Sequence, residues 1–164
     1  MTRIDLPDEA ATLALGRALA LSLPDGWDRP TALLQAELGS GKTTLARGFV
    51  SALPGAQDAE VASPSFNLAN VYPTKPPVVH MDLYRLGEGA LDDGLEELLE
   101  AGHCPGQVAL VEWAQFLPGE HTPRERLDIR ILHSGAGRLA ELTAHGENAR
   151  RWLTRTLETF YKSG

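Results

Sequence analysis

Two hydrophobic periods alternate along the chain. From Leu6 to Leu23 the apolar positions Leu6, Ala10, Leu13, Ala14, Ala18 and Leu21 recur at roughly helical spacing, which predicts an amphipathic helix. Pro7 suits its first turn, Asp8 and Glu9 suit the positive end of its dipole, and Pro24-Asp25-Gly26 stops it. Thr31 to Ala36 is short and mostly apolar, the pattern of a buried strand. A helix follows over Thr44 to Leu53, before Pro54-Gly55. Phe66 to Tyr72 alternates apolar and polar, the period of a half-exposed strand. Val78 to Leu83 reads as a second strand across the turn at Pro73 to Pro77, so the two predict a hairpin. Leu91 to Ala101 predicts a short acidic helix stopped by Gly102, and Val108 to Val111 a fully apolar strand. Leu127 to Leu132 and Arg138 to Ala144 predict two more strands, joined at residues 134–137, and Glu147 to Tyr161 a closing helix. No repeat, linker or low-complexity segment interrupts this order.

The segment between the first predicted strand and the second helix carries the strongest chemical signal. Residues 36–43 read Ala-Glu-Leu-Gly-Ser-Gly-Lys-Thr, the phosphate-loop pattern with Ala36 at its first glycine position. Glycines let consecutive backbone N–H groups turn toward phosphate oxygens, and the following helix presents its positive end to the same anion. The expected nucleotide contacts are Glu37, Leu38, Gly39, Ser40, Gly41, Lys42, Thr43 and Thr44. Lys42 is expected at the β- and γ-phosphates, and the Thr43 hydroxyl on Mg²⁺. The guanine-reading pattern Asn-Lys-x-Asp is absent, which favours ATP over GTP. The fold expected is α/β: a three-layer P-loop NTPase-like domain spanning residues 1–164, with a mixed central sheet and an inserted β-hairpin.

Composition narrows the partners. The 164 residues carry a net charge of −7 with few lysines and no basic run, unlike a free-standing nucleic-acid binder, whose affinity comes mostly from phosphate neutralisation. No stretch reaches the eighteen or so apolar residues of a membrane span, and the first residues bring acids rather than a signal-type apolar run. Cys104 is the only cysteine, so no internal disulfide can form. These features together predict a cytoplasmic protein with no membrane partner.

A phosphate loop needs an acid on another strand to hold the metal or its water. Val108 to Val111 runs into Glu112, and Val78 to Met81 runs, across His80, into Asp82. Glu112 reads as functional. Asp82 is open between that role and capping the next turn. Ser63-Pro64-Ser65-Phe66 offers a hydroxyl that can approach the γ-phosphate as a switch does, or a plain Ser-Pro turn. His80 reads as a satisfied core residue, Arg85 as a phosphate-neutralising group or a surface ion pair, and Trp113 as core or as an interface anchor.

Taken in order, Glu-Leu-Gly-Ser-Gly-Lys-Thr-Thr, Ser-Pro-Ser-Phe-Asn-Leu, His-Met-Asp-Leu-Tyr-Arg-Leu and Val-Glu-Trp resemble the bacterial TsaE (YjeE) family over roughly residues 8 to 145. The resemblance implies a Mg²⁺-dependent ATPase required for threonylcarbamoyladenosine in tRNA. It places Lys42, Asp82 and Glu112 in catalysis, Thr43, Glu112 and Asp82 near the metal, and Ser65 and Trp113 in switching or partner contact, a group to which the residue reading adds Arg85. It also implies docking on a TsaB–TsaD transferase complex that modifies adenosine 37, with tRNA met only indirectly through that complex. Two departures stand out. Ala36-Glu37 replaces the usual Gly-Asp, and Ser65 replaces a threonine but keeps the hydroxyl. The competing readings are a small P-loop kinase, whose lid arginines would be Arg124, Arg126 and Arg130, and a module that binds ATP without turnover.

Overall fold

The first six residues do not join the helix that their neighbours predict. Arg3, Ile4, Asp5 and Leu6 alternate polar and apolar, and Thr2–Leu6 forms strand β1 with Ile4 and Leu6 buried. Helix α1 then spans Glu9–Leu21, capped by Asp8, whose carboxylate accepts the Ala11 N–H at 2.8 Å. The expectation of a helix from Leu6, with Pro7 in its first turn, is therefore corrected: Pro7 is the joint between strand and cap. The remaining elements follow the predicted order. They are β2 (Thr31–Ala36), α2 (Lys42–Ser51), β3 (Ala69–Tyr72), β4 (Val78–Asp82), β5 (Val108–Glu112), β6 (Arg126–Ser134), β7 (Gly137–His145) and α3 (Glu147–Lys162). The structure, a computed structural model, describes residues 1–64, 69–88 and 105–162. The expected acidic helix over 91–101, Ser65, the start of the strand at 66–68 and Cys104 lie outside the described residues.

Among the described residues the sheet has seven strands in the order β1-β7-β6-β2-β5-β4-β3. Its centre is parallel: β6, β2, β5 and β4 run the same way. Its flanks are antiparallel, with β6 to β7 and β7 to β1 on one side and the β3–β4 hairpin on the other. This is the mixed sheet that the element order predicts. Alternation along each strand divides the core in two. Ala32, Leu34, Val108 and Leu110 face one cluster with α1, α2 and Trp152 of α3, while Leu33, Ala109, Val111, Val79 and Met81 face a second. The same alternation puts His80, Asp82 and Glu112 on the first face, which is the face of α2. Asp82 and Glu112 are register partners at the ends of β4 and β5.

Helix α2 is pressed against α1 at a crossing that tolerates no side chain. A Cβ on Gly16 would lie 2.2 Å from the Leu45 carbonyl oxygen, and one on Gly48 would lie 2.3 Å from that of Leu13. Glycine normally weakens a helix interior by roughly 1 kcal/mol against alanine. Here the close approach reverses that preference and holds fixed the helix whose first residue is Lys42. Gly48→Ala is therefore expected to destabilise the protein by about 2 kcal/mol or more through overpacking. Urea unfolding decides the sign, and a neutral or stabilising result would contradict this crossing.

Candidate functional site

The four central parallel strands end on one side of the sheet, and the loop leaving β2 turns there into α2. Gly39 (φ 72°) and Gly41 (φ 105°) take left-handed backbone conformations around Ser40, which residues with side chains rarely adopt. Gly41 then forms the N-cap of α2 with no side-chain partner for the first amides. An uncapped helix start beside a glycine-bent loop is an anion-binding arrangement. The Ser40 hydroxyl is buried with no hydrogen-bond partner among the described residues. Such an orphan costs free energy unless something meets it.

Lys42 leads α2 and is 6% exposed. Its ammonium donates to the carbonyls of Ala36 at 3.1 Å and Glu37 at 2.8 Å, and lies 4.3 Å from the centre of the Trp113 ring. Burial lowers its pKa from the usual lysine range, while the charges of Glu112 and then Asp82 push it back up. A cleft of about 490 Å³ joins these groups: Ser40, Lys42 and Thr43 meet Ser63, Asp82 and Glu112 across it. The hydroxyl and the two carboxylates are hard oxygen donors, the chemistry that suits Mg²⁺. Among the described residues the lining includes a single cation, Lys42, and the rim is apolar, with Leu38 80% and Tyr84 45% exposed.

The two acids differ in how they are held. Asp82 accepts from the Ser63 hydroxyl and from the Tyr84 backbone N–H, both at 2.9 Å. Glu112 meets His80 Nε2 at 2.7 Å, with both side chains buried. His80 Nδ1 lies 3.2 Å from the Tyr72 hydroxyl, which donates to the Ala62 carbonyl at 3.1 Å. A hydroxyl has one proton, so the Tyr72 oxygen is left to accept from Nδ1–H. His80 Nε2 and Glu112 then share one proton between them. Both threads end on residues 62–63, so one short segment is tied to both acids.

The structure thus brings Lys42, Thr43, Asp82, Glu112 and Trp113 into one cleft. Arg85 lies exposed in the 3₁₀ turn Tyr84–Glu88, outside the cleft lining. Trp113 takes a left-handed φ of 57° and packs between Tyr84 and Phe116, at 4.9 and 6.0 Å between ring centres. The arginines considered for a kinase lid are not gathered. Arg126 pairs in register with Thr31 at the start of β2, the sheet end opposite the loop, and bonds Asp128. Sequence reasoning passed over Tyr72 and Arg138, while His80 is the satisfied core residue it expected, buried with both ring nitrogens partnered. The Asn70 to Tyr72 alternation marked a strand but held no sign of what the hydroxyl meets.

Among the described residues no helix is long and apolar enough to cross a membrane. The family model described as "Threonylcarbamoyl adenosine biosynthesis protein TsaE" matches residues 6–140. The protein of Streptomyces coelicolor named tRNA threonylcarbamoyladenosine biosynthesis protein TsaE is 39% identical over 146 residues, covering 85% of this chain and 93% of its own. The protein of the same name from Nostoc sp. is 34% identical, covering 87% of this chain and 86% of its own. The crystal structure of Bacillus subtilis YdiB matches with a TM-score of 0.73 and 28% identity, over 99% of this chain and 96% of that one. The phosphate loop and the cleft lie within the matched span, and this chain belongs to the TsaE family of threonylcarbamoyladenosine biosynthesis proteins.

Proposed function

We propose that this chain is a cytoplasmic ATPase subunit that acts on a TsaB–TsaD complex during threonylcarbamoyladenosine modification of tRNA position 37. One observation carries the reading. The phosphate loop, an ammonium, a hydroxyl and two strand-end carboxylates converge on a single cleft. On this reading the amides at the start of α2 and residues 37–44 bind the phosphates of ATP, and Lys42 moves from the Ala36 and Glu37 carbonyls to the phosphate charge. Mg²⁺, when bound, neutralises phosphate charge, and Thr43, Asp82 and Glu112 are the residues that would hold it or its waters. On the same reading Glu112, bonded to His80, holds the attacking water, and Asp82, bonded to Ser63, senses whether the neighbouring segment is in place. Ser65, two residues on, is proposed as the hydroxyl of that switch.

The cleft supports binding better than turnover. Phosphoryl transfer needs positive charge on the transition state beyond one lysine and a metal. The lining supplies Lys42, and the exposed apolar rim of Leu38 and Tyr84 beside Trp113 suits a covering protein surface. The partner is proposed to complete the site, either with a cation or by ordering the segment beyond Ser63, with Arg85 at the rim of the contact. An overall charge of −7 fits docking on a basic protein surface rather than direct capture of tRNA.

Three outcomes are expected. Lys42→Ala should weaken ATP binding by roughly ten- to a hundred-fold, since hydrogen bonds to charged groups contribute about 1.5–3 kcal/mol. Titration of the folded variant checks this, and unchanged affinity would remove Lys42 from the site. Asp82→Asn and Glu112→Gln should each lower turnover by about a hundred-fold or more while ATP still binds, as expected for loss of water activation or metal positioning. Wild-type turnover in both variants would sink that division of roles. Finally, hydrolysis by the isolated protein should be slow, and should rise with TsaB–TsaD but not with tRNA alone. Trp113→Ala should blunt the rise and spare ATP binding. Fast hydrolysis without any partner would refute the incomplete-site reading.

A further inference from the structure

We infer that Arg138 is a positioning residue for the phosphate loop, holding two of its peptide planes in a nucleotide-ready orientation from behind. The inference rests on the nucleotide reading proposed above. Arg138 is the second residue of β7, beyond β6 and two strands away from β2, so its approach to the loop is set by the sheet and not by sequence proximity. Its guanidinium donates from Nε to the Ser40 carbonyl at 3.2 Å and from Nη2 to the Gly39 carbonyl at 3.3 Å. The third nitrogen, Nη1, donates to the Gly137 carbonyl at 2.8 Å and braces the fork against its own turn. That turn is itself fixed. A Cβ on Gly137 would meet the Leu6 carbonyl oxygen at 2.6 Å, so the β6–β7 turn lies flush against the end of β1.

The two gripped carbonyls flank the most pliable part of the loop. Gly39 and Gly41 both stand at positive φ, and glycine loses more conformational freedom on ordering than any other residue. A trans peptide carries its carbonyl and the next N–H on opposite edges. Fixing the Ser40 carbonyl on Arg138 therefore turns the Gly41 N–H away from Arg138. Backbone N–H groups of such a loop are its anion donors. The guanidinium also polarises the two peptides toward stronger N–H donation and adds positive charge behind the cradle. No carboxylate among the described residues pairs with Arg138, although Asp8 and Glu9 line the adjoining cavity of about 290 Å³. Its planar fork is suited to two neighbouring carbonyls in a way that a lysine is not.

A nucleotide, once bound, orders the loop by itself. The contribution of Arg138 should then appear in affinity and vanish at saturation, a split that a general loss of folding would not produce. The experiment compares wild type, Arg138→Met and Arg138→Lys by ADP calorimetry, thermal unfolding without ligand, and turnover at saturating ATP. Arg138→Met should raise the ADP Kd about ten-fold, equivalent to ~1.4 kcal/mol. Arg138→Lys should recover part of that loss, and saturated turnover should stay within about two-fold of wild type in both. Two results would overturn the inference: an unchanged ADP Kd in Arg138→Met, or loss of affinity accompanied by an equal loss of saturated turnover and of thermal stability in both variants. Failure of the wild-type chain to bind ADP would instead defeat the nucleotide reading itself, and this inference with it.

Discussion

Lys42 has to keep a positive charge in a place that burial disfavours, and much of the surrounding structure answers to that demand. The ammonium is 6% exposed. A buried charge survives only when it is paired and hydrogen-bonded. Two loop carbonyls, the face of Trp113 and the nearby charges of Glu112 and Asp82 supply that compensation. The carboxylates face the same problem in reverse, and each has its own donors: His80 for Glu112, Ser63 and the Tyr84 amide for Asp82. Removing one partner from such a set leaves a charge stranded, which generally costs more than the pair contributes. The buried ammonium and the two buried carboxylates thus each sit among polar partners that compensate their burial.

Strand register is what makes this arrangement possible. Asp82 and Glu112 stand opposite each other because β4 and β5 pair in parallel with Val78 against Val108 and onward to their ends. A slip of one residue in either strand would turn its acid to the other face. The apolar residues prevent the slip. Val79 and Met81 on β4, and Ala109 and Val111 on β5, fill the second core, while Val78, Val108 and Leu110 fill the first. Burial of aliphatic side chains on both faces of the parallel strands therefore fixes where the charges emerge. The Gly16–Gly48 crossing does the same for α2, setting the height at which Lys42 meets the strand ends.

What was legible in the sequence was local or periodic. The passage from β2 through the glycine-bent loop into α2 is continuous in the chain, so its residues announce it. Glu112 was legible because it ends an unbroken apolar run, and such a run predicts a strand whose end is a definite place. Asp82, behind a run broken by His80, was open between a metal role and capping the next turn, and its carboxylate does accept the Tyr84 amide. β1 escaped because Arg3 to Leu6 offers four alternating residues beside a helix that could absorb Leu6, and the competing period won. Strand β1 exists because β7 pairs with it, from Thr2 with Leu142 to Leu6 with Arg138, a contact across most of the chain. Tyr72 and Arg138 escaped for the same reason. Their roles depend on what lies opposite them in three dimensions, as does the identity of the two partners that satisfy His80.

The two threads that end at residues 62 and 63 bear on how binding and turnover are separated. Tyr72 joins the Ala62 carbonyl to His80 and so to Glu112, and the Ser63 hydroxyl joins the same segment to Asp82. Displacing that segment must therefore disturb both acids together. The phosphate loop, by contrast, is held from the other side, by Arg138 and the α1–α2 crossing. On the proposed reading, the groups that would grip phosphate and those that would activate water are anchored to different parts of the fold. On that reading, a surface docked on the apolar rim resets the second set without loosening the first. On the proposed reading, ATP is held by one half of the site while a partner governs when the other half acts. On the same reading, the exposed Leu38 at the loop tip belongs to the surface that a partner covers.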